Sequence, residues 1–214
     1  MDSRAEVPTP NFDVYLVTDR LHTGGRDLLW VLEQALDGGV QAIQLREKDL
    51  SGKELFILAE KTRRLCQRYQ AALLINDRLD VALAIDAAGV QLGKTSLPLP
   101  DARALLGNHR FIGASVHSLE EAQNAQRGGA DFIVFGPVFF TPSKAAFGAP
   151  QGVAALKKIV EIAELPVYAI GGIKPGNITE LRSASVQRVA LISAIIEAPH
   201  PKEAAEKILE LLRR

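Results

Sequence analysis

Eight short apolar, β-branched runs alternating with amphipathic helical stretches predict an α/β chain closed into a single (β/α)8 (TIM) barrel. A second observation is repetition: "DGGVQAIQL", "DAAGVQL" and "RGGADFIVF" each place a small-residue helix exit just before a strand, as copies of one βα unit do. A third disfavours the open doubly wound sheet, the other architecture that alternation allows: no early Gly-x-Gly-x-x-Gly follows a strand.

The elements follow in order. Residues 1–12 read as an extended lead-in to the strand "VYLVTD" (14–19), and "LLWVLEQALDGG" (28–39) as a helix closed by Gly38 and Gly39. In "AIQLREK" (42–48), Ile43 and Leu45 alternate with Gln44, Arg46 and Lys48, the period of two of an extended chain. The long amphipathic stretch "GKELFILAEKTRRLCQRYQ" (52–70) is a helix with Cys66 in its core face. Strands "ALLIND" (72–77) and "GVQLG" (89–93) follow, with a helix beginning near Leu79. "FIGASV" (111–116) precedes the helix "SLEEAQNAQRGG" (118–129), where Ser118 and Glu121 have capping-box spacing. "DFIVFGPV" (131–138), the helix "GVAALKKIVEIAE" (152–164), "PVYAIGG" (166–172), "RVALIS" (188–193) and the helix "PKEAAEKILELLRR" (201–214) complete one expected domain spanning 1–214.

Composition narrows the function classes. Among 214 residues, 25 Lys and Arg balance 25 Asp and Glu, which gives no reason to expect nucleic acid or an anionic membrane as partner. No apolar run approaches the roughly 18 residues of a membrane span, and the N-terminus has no basic and apolar leader, so the expected compartment is the cytoplasm. The single cysteine excludes an internal disulfide and a cysteine zinc site, and His22, His109 and His200 show no ligand spacing. Trp30 reads as helix core or as a subunit contact, which leaves a homo-oligomer open.

A barrel carries its chemistry at the C-terminal ends of the strands. There the chain sets Gln44, Arg46 and Lys48 after strand two, Asn76 and Asp77 after strand three, and Ser115 and His117 after strand five. Thr141, Ser143 and Lys144 lie in the glycine- and proline-containing loop after strand six, long enough between 141 and 152 to act as a lid. Gly171 and Gly172 after strand seven, with Ile192 and Ser193 after strand eight, suit a phosphate nest of backbone N–H groups. Ordinary readings exist: Asn76 and Asp77 as helix caps, Gly171 and Gly172 as a tight turn, His117 as a loop histidine, Arg46 and Lys48 as partners of Glu47 and Asp49. The acids fall on the opposite face of an extended strand, however. Three cations, an amide, a carboxylate and a separate nest on one rim are covered together by a diphosphate carried with a divalent metal, plus a second, monophosphate substrate.

"YLVTD", "QLREKD", "INDRLDVALA", "GVQLG", "SVHSLEEA", "GPVFFTPSK", "AIGGI" and "ISAI" closely resemble, in order over residues 14–196, the superfamily of thiamine-phosphate synthases and thiazole tautomerases. The resemblance implies a transferase of thiamine biosynthesis, which joins hydroxymethylpyrimidine diphosphate to thiazole phosphate and releases pyrophosphate. It implies that Gln44 and Ser115 lie against the pyrimidine and that Arg46, Lys48, Asn76 and Lys144 bind the diphosphate. It further implies that Asp77 ligates Mg2+, and that Thr141 and Ser143, helped by Gly172, Ile192 and Ser193, serve the thiazole phosphate.

The chain departs from the pattern in one respect. Where the synthases show Gly-Gln-x-Asp after strand four, with the Asp as second metal ligand, this chain reads "LGKTSLP", with Lys94 for the Gln and Ser96 at the acidic position. Ser96 is then a weak or water-mediated ligand at best, and Mg2+ binding is expected to weaken. Gln91 stands where many synthases carry His. The departure admits two alternatives: a tautomerase that aromatises the thiazole phosphate with His117 as acid and base, and a catalytically silent paralogue that keeps the pocket.

Overall fold

A computed structural model describes residues 9–142 and 149–213. Its strands are β1 (Val14–Val17), β2 (Ala42–Leu45), β3 (Ala72–Asn76), β4 (Gly89–Leu92), β5 (Phe111–Val116), β6 (Phe132–Phe135), β7 (Val167–Ile170) and β8 (Val189–Leu191). Each pairs in parallel with the next, and β8 returns to β1 with Tyr15 opposite Ala190, so the expected barrel is closed. The helices are α1 (Leu28–Asp37), α2 (Gly52–Arg68), α3 (Leu79–Ala84), α4 (Leu99–Leu106), α5 (Leu119–Arg127), α6 (Gly152–Ile162), α7 (Ser193–Ile196) and α8 (Pro201–Arg213).

Alternation along the strands sorts the side chains into two cores. Val14, Leu16, Ile43, Leu45, Leu73, Ile75, Val90 and Ile112 face outward and pack under the helices. Tyr15, Ala42, Leu74, Phe132, Tyr168 and Ala190 face inward and fill the N-terminal half of the barrel with Phe12. Phe12 rises from the lead-in, whose described residues 9–12 form neither helix nor strand, and lies 5.1–5.7 Å, ring to ring, from Tyr15, Phe132 and Tyr168. Its carbonyl accepts a 2.7 Å bond from the Tyr168 hydroxyl, which fixes the plug. Gly113 makes room for this packing, since a Cβ there would lie 2.4 Å from the Phe132 ring and 2.3 Å from Gln91 Oε1.

Every strand falls inside its sequence-predicted run, but most stop earlier at the C-terminal end, where the barrel rim offers no further ladder. Helix α4 was hidden by Pro98 and Pro100; Pro98 is its N-cap and Pro100 sits in the first turn, where a missing N–H costs nothing. A 3-10 helix (Ile178–Ala184) and the short α7 also lack an amphipathic period long enough to read. The capping box is complete at Ser51 and Glu54 on α2. At Ser118 only half of it forms, because the Glu121 carboxylate accepts from His117 N instead. Cys66 is core as expected, and burial pushes its thiol up to about 12. Trp30 is not core: it is 44% exposed, with the Arg26 guanidinium 5.8 Å above its ring.

Candidate active site

Above the aromatic plug the inward positions turn polar on four consecutive strands: Gln44 on β2, Asn76 on β3, Gln91 on β4 and Ser115 on β5. Gln44 and Gln91 are buried, at 4% and 2% exposure. Gln91 Nε2 donates to Ser115 Oγ at 3.0 Å, while its Oε1 has no partner. Gln44 lies beside the Tyr15 hydroxyl, yet that hydroxyl makes no hydrogen bond of ordinary geometry; burial pushes the phenol well above the usual tyrosine range. Buried polar atoms without partners are rare, and their collection at this level of the barrel marks a place that packing alone does not explain.

The strand predicted over 42–48 ends at Leu45, so strand alternation does not itself orient Arg46 and Lys48. Beyond it the Arg46 amide donates to Thr18 Oγ1 at 2.9 Å, and Glu47 turns inward to 6% exposure. The Glu47 carboxylate accepts from Arg20 N at 3.1 Å and faces Arg20 Nε at 3.7 Å, while the Arg20 guanidinium also binds Asp49. Burial holds the Glu47 carboxyl above its ordinary range in spite of these donors. Arg20 therefore takes both acids that flank the two cations. Arg46, half-buried, and Lys48, exposed, make no ion pair among the described residues. Leu45 lies opposite Ile75, so β2 ends one residue before Arg46 at the level where β3 reaches Asn76.

Asn76 and Asp77 do not cap a helix. The N-cap of α3 is Arg78, without a side-chain cap bond, and the Asn76 amide instead donates to Asp77 Oδ2 at 2.8 Å. Asp77 stands in the left-handed region (φ 60), a conformation Asp tolerates better than most residues, with its amide still bound to Gln91 O at 3.0 Å. Its other carboxylate oxygen, Oδ1, accepts from the Ser96 hydroxyl, and Ser96 Oγ in turn accepts from Gly93 N at 2.7 Å. The two positions that the sequence analysis linked to a metal are thus in direct contact. No cluster of three or more His, Cys, Asp or Glu side chains suited to a metal ion occurs among the described residues.

His117 is exposed at the end of β5, and its Nδ1 lies 2.5 Å from the Gly136 carbonyl. A carbonyl only accepts, so Nδ1 carries a proton, and in the neutral ring the lone pair is on Nε2. Across the mouth, Gly171 (φ 95) and Gly172 (φ 65) lie close under the loop after β6: a Cβ on Gly171 would be 2.5 Å from Pro137 Cβ, and one on Gly172 2.4 Å from Phe140 O. Only glycine meets both demands. Asn177 Nδ2 binds Gly172 O at 2.9 Å, and Ile192 is the N-cap of α7, which Ser193 opens. Thr141 is half-buried in the same loop. Ser143 and Lys144, and the rest of 143–148 in the expected lid, lie outside the described residues.

Sequence reasoning missed Arg20 and Thr18, which arrange the residues after β2. The polar "TD" at the end of "YLVTD" was their only signal.

The family model for thiamine monophosphate synthase matches residues 14–195. This chain belongs to that family. It is 53% identical to a protein of Geobacter sulfurreducens called putative thiamine-phosphate synthase, over 94% of this chain and 95% of that one. It is 41% identical to the thiamine-phosphate synthase of Desulfitobacterium hafniense, over 95% and 98%. Among solved structures, thiamine phosphate pyrophosphorylase from Pyrococcus furiosus superposes with a TM-score of 0.86 at 37% identity, covering 94% of this chain and 96% of that one. A 3-hexulose-6-phosphate synthase superposes at 0.70 with 16% identity, a likeness of fold alone. Among the stretches quoted for the resemblance, Gln44, Asn76, Gln91 and Ser115 lie on inward strand positions near the C-terminal end of the barrel.

Proposed function

We propose that the barrel couples hydroxymethylpyrimidine diphosphate to thiazole phosphate, forming thiamine phosphate and releasing pyrophosphate. The observation that carries the reading is the pair of cations after β2, Arg46 and Lys48, left without acidic partners because Arg20 takes Glu47 and Asp49. Unneutralised cations following β2 suit an anionic leaving group. The relatives named thiamine-phosphate synthase, at 41–53% identity over nearly the whole chain, support the same reading.

In the reaction, the carbon–oxygen bond between the pyrimidine methylene and the diphosphate breaks, and its electron pair leaves with pyrophosphate. Arg46, Lys48, Asn76 and, from the loop outside the described residues, Lys144 take up that charge. The pyrimidine rests against Gln44 and Ser115. Because Ser115 Oγ already accepts from Gln91 Nε2, its own proton is free for an acceptor on the ring. The thiazole phosphate sits on Gly171, Gly172, Ile192 and Ser193 with Thr141 and Ser143, which holds the ring nitrogen in place to attack the methylene cation and form the carbon–nitrogen bond. No side-chain nucleophile is needed.

A single carboxylate, held by a neighbouring hydroxyl and amide, fits Mg2+, which commonly takes one or two carboxylates and completes its shell with water and substrate phosphate. Asp77 would hold it, and the ion would neutralise charge on the departing pyrophosphate. His117, oriented by its Nδ1 bond to the Gly136 carbonyl so that Nε2 is left for proton transfer, favours a second reading, thiazole tautomerisation. Incubation with both substrates, with and without Mg2+, separates the two. Metal-dependent thiamine phosphate and pyrophosphate support coupling. Metal-independent conversion of a thiazole tautomer, lost in His117→Ala, replaces it, and ligand binding without either reaction leaves a silent pocket.

A further inference from the structure

We infer that Ser96 is a positioning residue rather than a metal ligand: it holds the Asp77 carboxylate in place, and the chain accordingly accepts Mg2+ as the diphosphate complex rather than as the free ion. The inference rests on the coupling reaction proposed above and assigns how its metal is received.

The hydrogen bonds around Ser96 run in one direction. Gly93 N donates to Ser96 Oγ at 2.7 Å, and Ser96 Oγ donates to Asp77 Oδ1. With its proton given to the carboxylate and one lone pair given to the amide, the hydroxyl retains a single neutral lone pair, a poor ligand for a hard cation that prefers charged oxygen. Its effect on Asp77 is larger. Asp77 is a left-handed residue at a strand end, and its two carboxylate oxygens are each held by one side chain, Oδ1 by Ser96 and Oδ2 by Asn76. A carboxylate clamped from both sides presents its remaining lone pairs in one orientation, as partners behind metal ligands do elsewhere.

Charge completes the argument. One formal negative charge at this position, where a second acidic residue would give two, attracts a free divalent ion weakly, and Lys94 nearby in sequence adds none. A diphosphate brings the missing negative oxygens itself. Arg46, without an ion pair among the described residues, follows β2, and Asn76 and Asp77 end and follow the adjacent β3, so the diphosphate and the clamped Asp77 belong to one side of the mouth.

Calorimetric titration of the full chain with MgCl2 alone, with inorganic pyrophosphate alone, and with both together tests this. The wild type is expected to bind the Mg2+–pyrophosphate pair at least about tenfold more tightly than it binds either component. Ser96→Ala should lose about tenfold toward the pair while keeping its affinity for pyrophosphate alone, and Ser96→Thr, which keeps the hydroxyl, should restore it. Ser96→Asp should gain affinity for Mg2+ alone. Ser96→Cys discriminates ligation from positioning, because a thiolate in the metal shell would raise Cd2+ affinity well above that for Mn2+. Such a Cd2+ preference would make Ser96 a ligand and overturn the inference, as would a Ser96→Ala protein that folds and binds the pair unchanged. If the wild type binds neither pyrophosphate nor the pair, the coupling reaction itself falls and this inference with it.

Discussion

At the N-terminal end of the barrel interior the Tyr168 hydroxyl is bonded to the Phe12 carbonyl, and Phe12, Tyr15, Phe132 and Tyr168 close the bottom ring against ring. Toward the C-terminal ends of β2 to β5, Gln44, Asn76, Gln91 and Ser115 occupy the inward face of the same barrel, and Gln91 Oε1 has no partner at all. The lower tier is what packing selects: large rings, no charge, one hydroxyl satisfied. The upper tier is what packing rejects, and it persists where a ligand would complete it. The two tiers line one barrel interior, so the contrast is one of side-chain chemistry within a single fold.

Mutations in the two tiers should therefore fail differently. The largest effect is expected from Phe132→Ala, which removes a fully buried ring and should cost about 3–5 kcal/mol of stability in denaturant unfolding. A loss under about 1 kcal/mol would mean the plug is not the packed element it looks like. Arg46→Ala should reverse the pattern, lowering turnover about 100-fold, with stability changed by less than about 0.5 kcal/mol. An unchanged rate would remove Arg46 from the site. Within the lower tier the two tyrosines sharpen the comparison. Tyr168→Phe leaves the Phe12 carbonyl unbonded and should cost about 1 kcal/mol. Tyr15→Phe removes a buried hydroxyl that has no hydrogen bond and should be neutral within about 0.5 kcal/mol or slightly stabilising. Equal losses from the two substitutions, measured by thermal melting, would show that the Tyr15 hydroxyl finds a partner after all.

The alternation of strands and helices was legible along the chain because apolar periodicity reports which face of an element is buried, and a barrel buries strands on both faces. The misses have local causes. Helix α4 opens around prolines that read as a loop, and the residues after Leu45 were drawn as a continuing strand because their alternation of side chains outlasts the hydrogen-bonded ladder. In the site, Gln44, Asn76, Asp77 and Ser115 stood out as polar residues at strand ends, and the barrel brings them to one mouth on neighbouring strands. Arg20 did not stand out, since an arginine three residues past a strand carries no pattern of its own.

By itself the sequence determined the order of the eight strands, the barrel, and the family, along with the departure at Ser96, all of which depend on residue type and spacing along one chain. Only the tertiary structure decided which charges are spent and which are free: that Arg20 takes Glu47 and Asp49, that Asn76 and Ser96 clamp Asp77 from either side, and that Gln91 directs Ser115. The reason is range. Periodicity is a property of neighbours a few residues apart, whereas these hydrogen bonds and ion pairs join residues up to 29 positions apart that meet only when the sheet closes.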